Sequence, residues 1–479
     1  MWIHDFVTRL LGAPRADVKQ DMAWLENIPA ADPPAGRSSL FGTHIATNKA
    51  QCPVTFLARP ELPDTVRLDH GALRGRTPDA IYTKDPPLSR RILQNPIHPR
   101  ARAWSLFHHR AFAYSVPRDL ITYVDAGDPM VAKLRKAYIE GLSEALTRHR
   151  DEIAAHLDRW VDRAANGRVE VTRATRGVNA EVVHLLVFGT WPRERFFAMA
   201  YQRVDPLIRE PRQRLAHLIW PVLDRLPTPY AAWHNVIGRI FAITSRVYFK
   251  RYHTRADSLL GRLHRQGVAE GDSEFGWGAQ AVLLNGGAAI LPFPMVMMLH
   301  ELADRPALQQ RVVDEDLYAA VVKETLRLHP AVPAPARVIK EPVAGESASF
   351  QTMASNEGSV FINLKAIHRH PRGWSRPDEF IIDRWLPGWT GDGDSAYRVY
   401  APFGLGPRTC VSAAVSPKLL EMFLRAVLSR RVVSNPSGRP PRLAEGTLGM
   451  VRYPFMLEFT ERQPSPARRQ HEAGRASHD

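Results

Sequence analysis

The feature that most constrains this chain is a short glycine-containing turn that ends on a cysteine, near the C-terminus. It covers residues 401–411, Ala-Pro-Phe-Gly-Leu-Gly-Pro-Arg-Thr-Cys-Val, and an apolar helical pattern follows it. Gly404 and Gly406 let the backbone turn tightly, so that main-chain N–H groups can point at the sulfur of Cys410. Such hydrogen bonds and a nearby helix N-terminus stabilise a thiolate, the form of cysteine that binds a metal. The full spacing therefore favours a metal-binding thiolate over a structural cysteine.

The length and composition allow one large domain, or two or three ordinary ones. The chain has 479 residues, of which 44% are hydrophobic, so a large core can form. Its two cysteines, Cys52 and Cys410, permit at most one disulfide bond. A Cys410 that binds a metal permits none, and free thiols are typical of a reducing compartment. We therefore expect a cytoplasmic protein.

Several classes of function find no support in the sequence. No segment approaches the roughly 20 apolar residues that span a membrane, and the N-terminus lacks the order of a signal peptide. There is no nucleophile elbow and no phosphate-binding loop, and His368 and His370 have no further metal ligand in register. The net charge of +15 comes without a nucleic-acid recognition motif. We expect no membrane span and no nucleic-acid partner. Three interpretations of the positive charge stay open: it keeps the protein soluble, it attracts an acidic electron-donor protein, or it attracts an anionic substrate.

The hydrophobic pattern changes along the chain from long helical stretches to short β-like runs. Apolar residues at helical spacings dominate up to Pro330, and short runs separated by turn residues follow it. The order predicts a mostly helical first two-thirds and then a mixed region. The predicted segments are an irregular arm over 1–65, helical patterns over 131–165, 178–258, 276–303 and about 312–328, and a disordered tail over 463–479.

A second motif lies on the last of these helical patterns. Glu324 and Arg327 are three residues apart, so they share a helix face and can pair. Taken alone, such a pair is usually a solvated ion pair. Here it is followed by Arg384, in Pro-Asp-Glu-Phe-Ile-Ile-Asp-Arg-Trp, and then by the cysteine loop. The order of these residues is more specific than any one of them.

Together these motifs resemble the cytochrome P450 family, in particular its soluble bacterial members. In the loop the matching residues are Phe403, Gly406, Arg408 and Cys410. The resemblance covers roughly residues 100–460. It implies the cytochrome P450 fold, mainly α with a smaller β lobe, in a single domain over 1–462. It also implies a haem b cofactor whose iron is bound by Cys410.

The resemblance assigns roles to further charged residues. A buried structural network behind the haem loop would consist of Glu324, Arg327 and Arg384. The haem propionates would be bound by Arg135, Arg337 and Arg408, since arginine binds a carboxylate through directional paired hydrogen bonds. Two departures stand out: the family's usual histidine falls at Val131, and its usual glycine after the ligand is Ser412.

The long apolar segment departs further from the family. P450 monooxygenases carry there a pattern close to Ala-Gly-x-Asp/Glu-Thr, whose acid and alcohol relay protons to dioxygen. Here Ala289 replaces the acid and Ile290 the alcohol, and neither side chain can donate a proton. We expect Pro292 and Pro294 to kink the helix and free carbonyls near the pocket. The candidate distal-pocket residues are Asn285, Gly286, Gly287, Ala289 and Ile290.

Two interpretations of this departure stay open. In the first, the helix is a neutral variant, and water or the substrate supplies the protons. In the second, the pocket is not built for ordinary dioxygen activation. Fatty-acid peroxygenases, allene oxide synthases and prostacyclin synthase are family relatives of this second kind, and they use peroxide or pre-oxidised substrates.

The leading hypothesis is an enzyme that tailors a small biosynthetic intermediate by non-standard activation. It would use peroxide, or cleave an N–O or O–O bond in the substrate, and so oxidise, rearrange or cyclise it. One alternative is a conventional monooxygenase that takes electrons from a ferredoxin-type donor, and another is a non-catalytic P450-like protein that recruits partners. Ten Lys and Arg residues in 203–255 form either a solvated face or a basic entrance for an anionic or carrier-bound substrate.

Overall fold

The structure is a computed structural model. The residues that it describes are 64–68, 80–96, 129–164, 166–192, 251, 255, 257–267, 287, 290–339, 343, 359–443, 449, 451 and 454–463. The arm before Asp64, most of the basic stretch 203–255 and the tail after Gln463 lie outside them. Within the described ranges, none of the helices combines the length and apolar character needed to cross a membrane.

Helices make up most of the described structure. They are α1 (Pro86–Gln94), α2 (Pro129–Arg148), α3 (Arg150–Arg163), α4 (Val171–Phe188), α5 (Leu259–Arg265), α6 (Pro292–Ala303), α7 (Pro306–Asp314), α8 (Tyr318–Leu328), α9 (Leu364–Ile367) and α10 (Ser416–Leu428). Two 3₁₀ turns, Ile382–Trp385 and Gly406–Arg408, lie in the C-terminal region.

The main core lies between helices, with α6 at its centre. This helix is apolar almost all round, so it is buried over nearly its whole length. Leu299 and Leu302 of α6 and Phe423 of α10 are fully buried in this core. Helix α4, which comes from the N-terminal half of the chain, packs against α6. This contact attaches the last third of the chain to α4.

Two small sheets complete the fold. The strands are β1 (Thr65–Leu68), β2 (Ala80–Thr83), β3 (Gly167–Glu170), β4 (Ala336–Val338), β5 (Ser359–Ile362), β6 (Arg431–Ser434) and β7 (Met456–Glu461). The first sheet has the order β1-β2-β5-β4, with β2 and β5 parallel, and the second, β3-β7-β6, is antiparallel. Ile92 of α1 packs with Val360 and Ile362 of β5 in a second, smaller core. The prediction of a mainly α fold with a smaller β lobe is confirmed.

Two of the predicted helical stretches are each divided in the structure. The pattern over 131–165 forms α2 and α3, which are separated at His149. The prediction of one helix over about 312–328 was wrong, because α7 ends before Asp316, whose φ of 56° is left-handed. A short polar residue such as aspartate tolerates this conformation, and α8 begins two residues later. The apolar spacing continues through both breaks and therefore does not reveal them.

The central segment 276–303 is described only from Gly287 onward, with a gap at 288–289. Residue 290 is helical, Leu291 lies in a turn, and α6 starts at Pro292. Pro292 thus occupies the first helical position, where the missing N–H needs no partner within the helix. In the described part, a turn at Leu291 separates helical residue 290 from α6, and the kink expected from Pro292 and Pro294 stays a prediction.

Candidate functional site

The cysteine loop, residues 401–411, folds into consecutive turns in front of α10. Gly404 and Gly406 have φ angles of +75° and +69°, which favour glycine. The N–H of Cys410 donates to the carbonyl of Phe403 at 2.8 Å and closes the loop. Cys410 itself is exposed, so its sulfur is open to a ligand.

Gly406 fixes the loop against the end of α1. A Cβ atom at this position would lie 2.7 Å from the Cα atom of Gln94 and 3.0 Å from the carbonyl oxygen of Leu93. Both the backbone conformation and the space therefore require glycine. Next to it, Leu405 packs against the smaller core, so α1 and its sheet support one side of the loop.

Arginines meet the loop from another side. Arg135 of α2 donates from Nη2 to the carbonyl of Thr409 at 2.5 Å, directly before the cysteine. Arg408 is buried within the 3₁₀ turn of the loop. Arg337 is buried on β4, opposite Val360 of β5. Two of the three arginines predicted to bind propionates thus lie on or against the loop, and the third is on the neighbouring sheet.

Behind the loop lies a buried ion pair. Arg327 donates to Glu324 through Nε at 2.9 Å and Nη2 at 2.7 Å, and both side chains are fully buried. Its remaining N–H groups donate to the carbonyls of His368, Pro377 and Glu379 at 2.7–3.0 Å. All five N–H groups of this guanidinium therefore have an acceptor. A buried pair of this kind adds little net stability but is costly to break.

Arg384 joins this pair from the other 3₁₀ turn. Its Nε lies 3.4 Å from Glu324, and its Nη1 donates to Asp392 at 2.6 Å. The indole N–H of Trp385 also donates to Glu324, at 3.0 Å. The structure therefore brings the three predicted network residues together, with Asp392 as a second buried carboxylate that balances the second arginine.

His368 connects the network to the cysteine loop. Its Nε2 accepts from the N–H of Ala401 at 2.9 Å, so its Nδ1, 3.0 Å from the Arg327 carbonyl, carries the proton and donates. Burial lowers the pKa of His368 to about 3, so the ring is neutral at physiological pH. The first residue of the loop is thus attached to the same arginine that binds Glu324. Sequence reasoning missed this role, because a single histidine in a loop carries no spacing signal.

The described part of the distal segment has a different character. Asn179 of α4 donates to the carbonyl of Gly287 at 3.0 Å. A Cβ atom at Gly287 would lie 3.3 Å from both methyl carbons of Val183, so the two segments are close-packed. Ile290 packs against the main core. The remaining distal candidates lie outside the described residues: Asn285, Gly286 and Ala289.

Comparisons with known proteins give the family of the C-terminal part. A family model of cytochrome P450 matches residues 281–459. The steroid 17-alpha-hydroxylase/17,20 lyase of Felis catus is 32% identical over 152 residues, which are 31% of this chain and 29% of that protein. The 6,7,8-trihydroxycoumarin synthase of Pastinaca sativa is 30% identical over 173 residues, 31% of this chain and 34% of that protein. The chain thus spans about a third or less of the length of these relatives.

A solved structure extends the likeness to most of the chain. The crystal structure of a cytochrome P450, CYP102L1, superimposes with a TM-score of 0.68 at 17% identity and covers 86% of this chain and 98% of that one. The fold defines the class as P450-like proteins. The match over 281–459 assigns this part of the chain to the cytochrome P450 family, and the likeness to the solved structure shows that the chain has the cytochrome P450 fold.

The residues present fit the haem that this family implies. Haem iron takes four ligands from the porphyrin, so one soft sulfur such as that of Cys410 suffices on the protein side. The sulfur is exposed at the end of the loop. Buried arginines such as Arg408, on the same loop, suit the carboxylates of the macrocycle.

Proposed function

We propose that this chain is a haem-thiolate P450 enzyme in which Cys410 binds the iron of haem b. The observation that carries the proposal is the exposed thiol of Cys410 at the end of a loop that α1, α2 and a buried ionic network all fix. A loop held from three sides presents the sulfur in one position, which a ligand to a rigid macrocycle needs. The haem, when bound, supplies the redox and bond-cleaving chemistry.

In this proposal the arginines position the cofactor. Arg408 and Arg337 are buried, and a guanidinium in a dry environment binds a carboxylate more strongly than one in water. Arg135 already contacts the loop at Thr409. Together they would bind both propionates and set the rotation of the macrocycle over Cys410. The ionic network of Glu324, Arg327 and Arg384 would keep the loop in place from behind.

The reaction we propose is tailoring of a small biosynthetic intermediate by non-standard activation. The oxidant would be peroxide, or an N–O or O–O bond in the substrate would be cleaved, with oxidation, rearrangement or cyclisation as the outcome. The support is chemical: Ala289 and Ile290 have no proton to donate where monooxygenases carry an acid and an alcohol. The next helix, α6, is apolar as well.

A conventional monooxygenase is the second candidate. The names of two matching relatives, a steroid 17-alpha-hydroxylase/17,20 lyase and a trihydroxycoumarin synthase, favour it. In this case a ferredoxin-type protein would supply electrons, and water or the substrate would supply protons. The net charge of +15 suits an acidic donor protein and an anionic or carrier-bound substrate in either case. A free thiol ligand suits the cytoplasm, and the bacterial origin stays a prediction.

The ligand assignment is tested first. Purified protein loaded with haem is reduced and exposed to carbon monoxide, and the position of its main absorption band is measured. We expect the band typical of sulfur-bound haem in the wild type and its loss in Cys410→Ala. A wild type without this band refutes the proposed function.

The activation mode is tested on parallel samples that contain candidate substrates. One sample receives peroxide without oxygen, and the other receives oxygen with a ferredoxin, its reductase and NAD(P)H. The double variant Ala289→Asp, Ile290→Thr introduces the missing acid and alcohol and serves as the matched comparison. We expect peroxide-driven turnover in the wild type, and an increase in oxygen-driven turnover only in the double variant. Efficient oxygen-driven turnover in the wild type would instead establish the conventional monooxygenase.

A further inference from the structure

Ser412 contacts the sulfur of the predicted ligand. Its Oγ lies 3.2 Å from the Sγ of Cys410, two residues earlier. Its hydroxyl also accepts a hydrogen bond of 2.9 Å from the Oγ of Ser416, in the first turn of α10. Ser416 is 2% exposed, and its N–H donates to the carbonyl of Ser412 at 2.7 Å. Ser412 is therefore held by both the backbone and a buried side chain.

The direction of this chain of hydrogen bonds follows from counting protons. A serine hydroxyl has one proton and two acceptor lone pairs. Because Ser412 accepts from Ser416, its own proton is left to point at Sγ. A thiolate has no proton and can only accept, so Ser412 is the donor whenever Cys410 acts as a ligand. Donation from Ser416 polarises the Ser412 hydroxyl and strengthens its hydrogen bond to sulfur.

We propose that Ser412 tunes the metal centre through the ligand sulfur, with Ser416 as its support. The inference rests on the proposed binding of haem iron by Cys410. A hydrogen bond to a ligand sulfur withdraws electron density from the metal–sulfur bond and raises the reduction potential. The glycine usual at this position in the family has no side chain and cannot make this bond. Ser412 thus raises the reduction potential of the metal centre in a way that a glycine at this position cannot.

The test compares variants by two measurements that need no turnover. Ser412→Ala removes the hydroxyl, Ser412→Gly installs the usual residue, and Ser412→Thr keeps the hydroxyl as the conservative rescue. Ser416→Ala removes only the support. Ser429→Ala, which removes a hydroxyl just beyond the other end of α10, is the matched control. The iron–sulfur stretching frequency is measured by resonance Raman spectroscopy, and the reduction potential by spectroelectrochemistry.

We expect a higher stretching frequency and a more negative potential in Ser412→Ala and Ser412→Gly. Ser416→Ala should give a smaller shift in the same direction, and Ser412→Thr and Ser429→Ala should match the wild type. Should Ser412→Ala bind haem poorly, Ser412→Gly gives the same comparison. Unchanged frequencies and potentials in both, with the thiolate band intact in the wild type, overturn this inference and leave the proposed function standing. Absence of that band in the wild type itself overturns both.

Discussion

The two sides of the predicted haem site are built on different physical principles. The proximal side, which comprises the cysteine loop 401–411 and the Glu324–Arg327–Arg384 network, is held by charged and polar groups that are almost all buried and paired. The distal segment, Gly287 and 290–303, is almost entirely apolar, and its described polar attachment to α4 is the amide of Asn179. Directional bonds fix a ligand atom, whereas apolar packing shapes a space. In the proposed function, the proximal side would therefore position the cofactor, and the distal side would leave the choice of reaction to the shape of the pocket and to the substrate.

The largest expected effect comes from breaking the proximal charge balance. Glu324→Gln keeps the shape but leaves two buried guanidinium groups with one carboxylate fewer. We expect the free energy of unfolding to fall by about 3–5 kcal/mol, with loss of haem binding. Urea denaturation and the haem content of the purified protein measure this.

The matched control is Arg311→Gln. It removes a half-exposed ion pair between Arg311 and Asp383, which lies in the same 3₁₀ turn as Arg384. An exposed pair contributes at most about 1 kcal/mol. Equal losses in the two variants would contradict the claim that burial gives the network its importance.

The next largest effect concerns the contact between the loop and α1. In Gly406→Ala the new Cβ atom would meet the backbone of Gln94 at 2.7 Å, in addition to the strain of a positive φ. We expect a loss of about 2–4 kcal/mol of unfolding free energy and weaker haem retention.

Gly438→Ala separates these two causes. Gly438 has a similar φ of +59°, but a Cβ atom there would have no described atom within 4 Å. Strain alone should cost about 1 kcal/mol at this position, and haem retention should stay normal. A Gly406→Ala variant no worse than Gly438→Ala would show that α1 does not confine the loop.

On the distal side we expect a smaller effect. Asn179→Leu removes the donor to the Gly287 carbonyl and should cost about 1–2 kcal/mol. It should change the absorption shift caused by substrate binding but not the band of the ferrous carbonyl complex. Thr175→Val, which removes a buried hydroxyl bonded to carbonyls of α4 itself, should leave both spectra unchanged. A shifted carbonyl band in Asn179→Leu would mean that the two sides are not independent.

The smallest effect is a dependence on pH. The pKa of His368 is about 3 in the folded protein and about 6.5 in an unfolded chain, so the unfolded state binds the extra proton between these values. The contribution of His368 to the free energy of unfolding is complete above pH 6.5. It decreases as the pH falls, by at most about 1.4 kcal/mol per pH unit. Denaturation curves measured at pH 7 and at pH 5.5 give the unfolding free energy at each pH. The difference between the two values should be smaller in His368→Gln than in the wild type. Burial also lowers the pKa of His184 to about 4, so only the difference between the two proteins is informative.

Sequence reasoning found the proximal side more completely than the distal side, for a physical reason. Glycines at the turn, Cys410 and the Glu324–Arg327 spacing are local patterns that a chain displays in short windows. His368 and Asn179 act on partners 33 and 108 residues away, and nothing near them in the sequence reveals the partner. The breaks at His149 and Asp316 were missed because burial maintains apolar spacing on both sides of a turn.

The close contact between Gly406 and the backbone of Gln94 has a consequence for the synthesis of the protein. The helix that receives the loop is translated long before the loop itself, at residues 86–94 compared with 401–411. The contact between them therefore forms only after all the intervening residues have been synthesised. In the proposed function, a chain terminated before Gly406 would lack this support for the haem and would stay colourless even where its helices form.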